Sequence, residues 1–469
     1  MPCTRTNTFT CTNQIQKHHV HVFTPPIFYP PGLFMEQLLK SLDHLNPIRV
    51  RGKVTRIVGL VIEGYCPQAT LGSLCELMPL HGGHPLLAEV VGFRDSVALL
   101  MPLGEMHGLG VGSLIRVLDT SVSINVGSSL LGRVVDALAR PLDGKGPIAC
   151  TDCRPLYQLP PNPMERRPIS ETLDLGVRSI NGLLTCGMGQ RMGIMAGSGV
   201  GKSVLLGMMA RNTVADVNVI ALIGERGREV REFMENDLGP AGLARSVVVT
   251  ATSDQSPLLR MRGAYLAMAI CEYFCARGKN VLLLMDSVTR FAMAGREIGL
   301  AIGEPPTTKG YTPSVFSRLP KLLERAGSFT GMGSITGLFT VLVDGDDMNE
   351  PVADAVRAIL DGHIVLSREL GARNHFPAID ILNSKSRVMQ RLVDAGHADL
   401  SGRIREILAI HAEHEDLINI GAYKPGANPK IDMAIKHIDP VIAFLRQDMN
   451  ENATMAKTRK AMEKIFEKK

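Results

Sequence analysis

The sequence predicts an α/β protein with a parallel sheet covered by helices on both faces, a small N-terminal β-barrel before it and a C-terminal helical domain after it. Residues 50–118 contain short runs rich in β-branched residues, punctuated by Gly and Pro, which suggest a small barrel or sandwich. From about residue 180, apolar runs typical of strands alternate with helical runs, which favours a parallel sheet. Beyond about residue 400 the strand signals fade and only helical spacing continues.

Within the N-terminal β domain, β-branched and partly alternating residues predict strands over 51–65, 88–93 and 97–102. In the sheet domain each strand-like run precedes a helical run, and these pairs are 191–196 with 204–215, 217–223 with 229–238, and 281–285 with 288–300. The C-terminal helical signals are Ile404, Ile407, Leu408 and His411, then residues 433–445 and 455–466.

Length sets the expected number of domains. At roughly 150 residues per domain, a chain of 469 residues accommodates three. We expect residues 1–34 to form an unstructured extension, because they contain no Asp or Glu and their prolines interrupt any signal-peptide-like core. His18, His19 and His21 lie in this tail and are more typical of a tail than of a metal site. The predicted domains are the β-barrel (35–120), the sheet domain with a Pro-rich lead-in (121–395) and the helical domain (396–469).

Composition excludes several classes of protein. Apolar residues make up 45% and charged residues 21%, so wholesale disorder is ruled out. No run of 18 uncharged apolar residues exists, so we expect no transmembrane helix. Nine cysteines cannot all pair within one chain, and we expect a reducing compartment. Cys150 and Cys153 lack the second cysteine pair that a zinc ribbon requires.

The net charge of +5 lies at the two ends of the chain. Residues 1–34 contribute +2 and residues 451–469 contribute +3, so residues 35–450 are formally neutral. Aromatic residues are scarce at 4%, with no Trp, which is unfavourable for stacking bases. We therefore expect no nucleic-acid partner. The basic C-terminal helix suits a docking or membrane-proximal face, or equally a solvated surface.

A glycine-rich segment between a predicted strand and a predicted helix carries the main functional signal. Its three glycines let successive N–H groups point into one concavity, and the following helix directs its dipole to the same place. Lys202 can reach the outer phosphates of a nucleotide and the Ser203 hydroxyl can bind Mg²⁺. A Gly-rich turn could match by accident, but the strand and the helix supply the required context. The segment is Ala196, Gly197, Ser198, Gly199, Val200, Gly201, Lys202 and Ser203.

Two carboxylates follow later strands. Asp286 ends an apolar strand about 80 residues after the loop, where a carboxylate holds Mg²⁺ directly or through water, although a strand-ending Asp is as often a helix cap. Glu225 follows a strand that ends in Gly224, and it would suit polarising the water that attacks the γ-phosphate. The alternative for Glu225 is an acid that stabilises the start of a helix.

At these residues the sequence resembles the hexameric rotary ATPase family, which includes the β subunit of ATP synthase and its relatives in type III secretion. Residues 224–229 (GERGRE) resemble the family's catalytic glutamate motif and residues 286–292 (DSVTRFA) its metal-carboxylate segment. Residues 197–211, 296–311 and 361–368 are similar to the flagellar protein-export ATPases, and residues 421–435 are a type III export feature. The resemblance runs from about residue 36 to the end.

The resemblance implies a RecA-like P-loop core and a ring with ATP sites at subunit interfaces. It makes Glu225 the catalytic base and places Arg226 near the phosphates. Arg387 falls where the family's arginine finger reaches a neighbouring subunit's γ-phosphate, and Phe376 falls where an aromatic ring packs on adenine. One chain that carries both Glu225 and Arg387 can form every interface of a homohexamer. ATP and Mg²⁺ are the expected substrate and cofactor.

The leading functional prediction is the ATP hydrolase of the flagellar type III export apparatus. The alternatives are the ATPase of a virulence-type secretion system, an ATP synthase catalytic subunit and a ring-shaped RNA translocase. Residues 35–118 hold only Tyr65 and Phe93 as aromatics, which speaks against the translocase. The resemblance implies a cytoplasmic location peripheral to the inner membrane, and four kinds of partner: a negative-regulator dimer, a coiled-coil stalk protein, a membrane export gate and substrate–chaperone complexes.

Overall fold

The computed structural model describes residues 51–467 apart from residues 81, 120, 121, 344–346 and 349. The predictions for residues 1–34 and for the histidine cluster lie outside the described residues. Residues from Arg51 onward group into one compact unit. The domain boundaries at residues 120 and 395 stay predictions.

The first six strands close into a barrel. They are β1 Gly52–Val58, β2 Val61–Tyr65, β3 Leu74–Met78, β4 Leu86–Arg94, β5 Val97–Pro102 and β6 Leu114–Asp119. Their order around the barrel is β1-β2-β5-β4-β3-β6. Alternating side chains point inward to a small core that includes Val54, Ile62, Leu77, Leu100 and Ile115, which confirms the predicted barrel.

A nine-stranded sheet forms the centre of the molecule. Its strands are β8 Arg133–Asp136, β12 Arg191–Ala196, β13 Val217–Ile223, β14 Ser246–Ala251, β15 Asn280–Asp286, β16 Gly327–Ser328, β17 Ser334–Leu342, β18 Gly362–Leu366 and β19 Ile379–Ser386. Their order in the sheet is β19-β18-β12-β17-β15-β13-β14-β8, with β16 beside β17. Two small two-stranded sheets pair β7 Ser123–Val126 with β9 Asp152–Pro155, and β10 Thr172–Leu173 with β11 Cys186–Gly187.

Helices cover both faces of this sheet, as predicted. One face packs on the helices Pro257–Cys275, Val288–Ile302 and Pro313–Leu323. The other packs on Lys202–Asn212 and on the C-terminal helices. The α-helices are Arg178–Leu183, Lys202–Asn212, Gly227–Glu232, Gly239–Ala244, Pro257–Cys275, Val288–Ile302, Pro313–Leu323, Pro351–Ile359, Arg368–Ala372, Met389–Leu392, Ala395–Asn419, Pro429–Leu445 and Met455–Phe466.

Local chemistry explains where several helices begin. Pro257, Pro313, Pro351 and Pro429 occupy first helical positions, where the missing N–H is not needed. Side-chain oxygens cap other helices, and the Asp394 carboxylate accepts from the His397 N–H at 2.9 Å.

The strand predicted over 51–65 is two strands, β1 and β2, and strands such as β14, β17 and β18 were not predicted. Three further differences concern the edges of the sheet and one helix. The Pro-rich lead-in contains β8, which pairs with β14 in parallel at the sheet edge. At the other edge β19 is antiparallel to β18, so the sheet is mixed. The segment predicted as one helix over 229–238 is an α-helical turn followed by the π-helical turn Phe233–Leu238.

No helix among the described residues is both long and apolar enough to cross a membrane. Cys150 and Cys153 are both free, and Cys153 is exposed. Within the described part of the chain they join no group of three or more metal-ligating side chains.

Candidate active site

The glycine-rich loop, residues 196–203, connects the buried strand β12 to the helix Lys202–Asn212. Gly199 and Gly201 have φ angles of 78° and 83°, a left-handed conformation that side chains with a Cβ rarely adopt. The helix begins directly after Gly201, so its free N–H groups and its dipole face the loop. The backbone therefore has the form of an anion-binding cradle.

The side chains of the loop divide between the core and the surface. Ala196 and Val200 are buried and anchor the loop, whereas Ser198 and Ser203 are exposed. A Cβ on Gly197 would lie 2.7 Å from the Arg368 guanidinium. Gly197 thus permits a close approach of a cation to the loop, which the sequence did not reveal.

Lys202, Glu225 and Asp286 meet beyond the carboxyl ends of the central strands. Lys202 Nζ lies 2.5 Å from Asp286 Oδ1 and 3.6 Å from Glu225 Oε1. Thr340 of β17 donates its hydroxyl to the same Asp286 oxygen at 2.7 Å. The side chains of the charged trio are only 5–17% exposed. The structure thus brings together the lysine and both carboxylates that the sequence singled out.

Burial and the charges of neighbouring groups shift the pKa values of Glu225 and Lys202. Burial and then the charge of Asp286 raise the pKa of Glu225 to about 7, against the attraction of Lys202. Burial favours the neutral amine of Lys202, but the two carboxylates outweigh it and hold the pKa of Lys202 above its ordinary value. At neutral pH the lysine is charged, and Glu225 is poised near its titration point, as a general base requires.

The turn that carries Glu225 depends on Gly224. This glycine has a φ angle of 73°, and a Cβ on it would lie 2.7 Å from Arg290 Cβ. The Ser253 N–H donates to the Glu225 carbonyl oxygen at 3.0 Å and fixes the turn from the other side.

Arg290 is a functional candidate that no pattern in the sequence indicates. Its Nε is buried and has no hydrogen-bond acceptor among the described residues. It lies four residues after Asp286, inside a segment already matched to the family, but its contact with Gly224 is tertiary and leaves no local sequence signal.

Phe376 and Arg226 lie at the rim of the site. The Phe376 ring is 3.5 Å from the position of a Cβ on Gly201, and it is 42% exposed. The buried Gln447 donates its N–H to the Phe376 carbonyl oxygen at 3.0 Å. Arg226 is 78% exposed and lies 3.7 Å from Glu229. Its predicted approach to phosphates stays a prediction.

Arg387 lies apart from this trio, in a cleft of about 880 Å³ just beyond the end of strand β19. Its N–H donates to the Asp361 carbonyl at 2.9 Å and its guanidinium donates to the Arg357 carbonyl at 3.3 Å. None of Lys202, Glu225 or Asp286 lines the cleft. We call it the basic cleft, and its charged or titratable lining residues are Arg357, His363, Lys385, Arg387 and Arg405.

The donor chemistry fits Mg²⁺ bound together with a nucleotide. In the described part of the chain no cluster of three or more His, Cys, Asp or Glu side chains could hold a metal by itself. The Asp286 carboxylate and the Ser203 hydroxyl offer oxygen atoms, which Mg²⁺ prefers, and phosphates and water would supply the remaining ligands.

Comparison with known protein families agrees with this geometry. A family model described as "ATP synthase alpha/beta family, nucleotide-binding domain" matches residues 176–386. A second, described as "T3SS EscN ATPase C-terminal domain", matches residues 393–464. The fold and the site define a nucleotide-binding ATPase of the ATP synthase alpha/beta class.

Individual relatives narrow this class. The chain is 52% identical to the flagellum-specific ATP synthase of Bacillus subtilis (strain 168), over 90% of this chain and 96% of the relative. It is 51% identical to the type 3 secretion system ATPase of Xanthomonas euvesicatoria, over 88% and 93%. The structure of the assembled ATPase EscN with its central stalk EscO, from enteropathogenic E. coli, superposes with a TM-score of 0.82 at 44% identity, over 88% of this chain and 99% of EscN. The chain belongs to the family of flagellum-specific ATP synthases and type 3 secretion system ATPases.

Proposed function

We propose that the protein is the Mg²⁺-dependent ATP hydrolase of a flagellar type III protein export apparatus and that it works as a homohexameric ring. One observation carries the ring model. Lys202 and Glu225 lie at one site, whereas Arg387 lies in a separate cleft of the same chain. A complete site therefore takes two copies, and a closed ring of identical chains supplies every one of them.

Each residue has a proposed role in hydrolysis. The N–H groups of residues 197–202 and the Lys202 ammonium hold the β- and γ-phosphates, for which Lys202 turns from the carboxylates to the nucleotide. Ser203 and Asp286 would hold Mg²⁺, which when bound neutralises charge on the phosphates. Glu225 accepts a proton from the attacking water.

The remaining side chains assist at the two ends of the nucleotide. Phe376 packs on adenine, and Arg226 faces the phosphates. Arg387 of the next protomer stabilises the charge of the transition state, an effect worth about 10³–10⁵ in rate for catalogued arginine fingers.

The first proposed partner is suggested by the partner of a relative. EscN assembles with a central stalk protein, and we propose a coiled-coil stalk in the pore of this ring too. A negative-regulator dimer, a membrane export gate and substrate–chaperone complexes complete the proposed set. The ring would lie on the cytoplasmic side, peripheral to the inner membrane, with no nucleic acid bound.

A virulence-type secretion ATPase is the second candidate, because the Xanthomonas relative is nearly as similar as the Bacillus one. A strain that lacks the gene for this protein distinguishes the flagellar function from the virulence-type function. For the flagellar function we expect the deletion strain to lose motility, and we expect a plasmid that carries the wild-type gene to restore it. Normal motility with a loss of effector secretion would overturn it.

The two-chain site is tested by mixing defective variants. Lys202→Met and Arg387→Ala should each lose most ATP turnover. In mixed rings, about one quarter of random interfaces join an intact Lys202 to an intact Arg387, so part of the activity should return. Turnover is measured after co-assembly at increasing ratios.

The matched control places both substitutions in one chain and mixes it with Lys202→Met. No interface of that mixture is complete, so it should stay inactive. Failure of the first mixture to regain activity, with rings assembled, would contradict the two-chain site.

A further inference from the structure

The basic cleft contains far more positive charge than one arginine finger requires. It is about 880 Å³ in volume, and none of its lining residues is Asp or Glu, although Arg357 and His363 also line an adjoining cavity that contains Glu369 and Asp380. A concave surface with one sign of charge concentrates potential and attracts anions. The composition of the cleft therefore calls for a ligand with several negative charges.

The cations of the cleft differ in whether they already form hydrogen bonds or ion pairs with other residues of the same chain. Arg405 donates to the Ile381 and Leu183 carbonyl oxygens at 2.7 and 2.8 Å, so its guanidinium is fixed by the fold. Arg357 is paired with Asp354 at 3.1 Å, and the Asp354 side chain is 70% exposed. Lys385 and Arg387 are exposed and form no ion pair with any residue that the structure describes.

Arg357, Lys385 and Arg387 line the basic cleft together with His363. His363 of β18 lies opposite Lys385 of β19, and its Nε2 is 3.1 Å from the Asn383 carbonyl oxygen. Burial lowers the pKa of His363, the hydrogen bond with the Asn383 carbonyl opposes this shift, and the charges of Arg357, Arg387 and Lys385 lower the pKa further. The imidazole is neutral at neutral pH, so it adds no repulsion of its own against the cations around it.

We propose that Arg357 and Lys385 join Arg387 in binding the phosphates of the ATP held by the adjacent protomer. Arg357 already shares its charge with the exposed Asp354, so a single carboxylate from a neighbouring chain would still leave either Lys385 or Arg387 unbalanced. A triphosphate carries enough charge for all three, and its oxygens accept hydrogen bonds from several donors at once. This inference rests on the proposed two-chain site.

Lys385→Gln and Arg357→Gln test it in assembled rings. Each removes a charge but keeps a polar side chain. Because these cations bind the phosphates in the ground state, we expect the KM for ATP to rise about tenfold with kcat changed less than about twofold. ATP binding to the dilute, separated protomer should be unchanged, since the cleft serves the neighbour's site.

Lys53→Gln is the matched control, because Lys53 is an exposed lysine on strand β1 of the barrel. It should leave KM, kcat and assembly at wild-type values. Sedimentation velocity measures ring assembly for each variant in parallel.

Two results would overturn the inference. A normal KM in assembled Lys385→Gln and Arg357→Gln rings, with assembly shifted to higher protein concentration, would mean that the cleft binds protein carboxylates. Weaker ATP binding by the separated Lys385→Gln protomer would mean that the cleft acts in cis. Undiminished turnover of Arg387→Ala would instead contradict the proposed function itself.

Discussion

At the scale of single residues, the site is held together by one lysine that contacts two carboxylates. Lys202 contacts both Asp286 and Glu225, and all three side chains are largely buried. Burying two carboxylates side by side is unfavourable unless a cation is shared between them. A nucleotide that attracts the lysine must therefore arrive with its own compensating cation.

The raised pKa of Glu225 predicts how activity depends on pH. A base must be ionised, and the pKa of Glu225 is about 7, so protonation below that pH should remove the base. The kcat/KM for ATP should rise up to tenfold per pH unit below about 7 and level off above it. Steady-state assays from about pH 5.5 to 8.5 measure this profile, because kcat/KM reports the free enzyme.

Glu225→Gln supplies the control for the pH profile. Its residual kcat/KM should be low and should lack the step near pH 7. A wild-type profile that stays flat down to about pH 5.5 would exclude Glu225 as the base.

At the scale of elements, the helix that follows the glycine-rich loop packs tightly on the π-helical turn Phe233–Leu238. A Cβ on Gly207 would lie 2.7 Å from both Cβ and the carbonyl oxygen of Asp237. Arg211 of the same helix donates to that carbonyl and, at 2.6 Å, to the Met449 carbonyl. The lysine-bearing helix is thus joined to the segment that follows Glu225 and to the C-terminal domain.

Gly207→Ala should therefore destabilise the protein, because backbone would have to move to admit one methyl group. We expect a loss of about 1–3 kcal/mol in the free energy of unfolding, measured by urea titration. Gly402→Ala is the control: it too is a helical glycine, but nothing lies within 4 Å of its added Cβ. That variant should be more stable by up to about 1 kcal/mol. Equal effects would refute the packing argument.

An element could be predicted from the sequence when its signal lies within the element itself. The strands β12 and β13 and the helix Met455–Phe466 have the predicted bounds, because long apolar runs and helical periodicity are local. The four-residue strand β8 was missed, since its pairing partner β14 lies more than 100 residues away. The antiparallel direction of β19 is likewise decided by the chain path and not by composition.

The residues of the candidate site, like the elements of the fold, could be predicted where their sequence signal is local. The glycine-rich loop, Glu225 and Asp286 each follow an apolar strand, so their types and positions were visible in sequence. Arg290 and Arg368 reach the site through space, against Gly224 and Gly197, and no spacing rule indicated them. The proposed role of Arg387 rests only on family resemblance, because the site that it is proposed to complete belongs to another chain.

At the scale of the whole molecule, a buried charge cluster joins the barrel to the sheet domain. Glu89 of β4 lies 3.2 Å from Arg262 of the helix Pro257–Cys275, and the Tyr157 hydroxyl donates to Glu89 at 2.7 Å. Both charged side chains are only 6% exposed. Burial raises the pKa of Glu89, although Tyr157 and Arg262 oppose the shift.

Glu89→Ala should destabilise the protein strongly, because it leaves the Arg262 charge buried without its carboxylate. We expect a loss of about 3 kcal/mol or more, whereas Tyr157→Phe, which removes one neutral donor, should cost about 1 kcal/mol. Thermal and urea unfolding measure both. If Glu89→Ala were as mild as Tyr157→Phe, the ion pair would not hold the junction.

The separation of Arg387 from Lys202 within one chain has a genetic consequence. In the proposed ring every chain serves two sites, completing its own pocket and its neighbour's. A cell that makes normal and Arg387→Ala chains in equal amounts would build few rings free of the defective form. One mutant allele should then impair export even beside an intact copy, and such dominance should vanish if the mutant chain can no longer enter the ring.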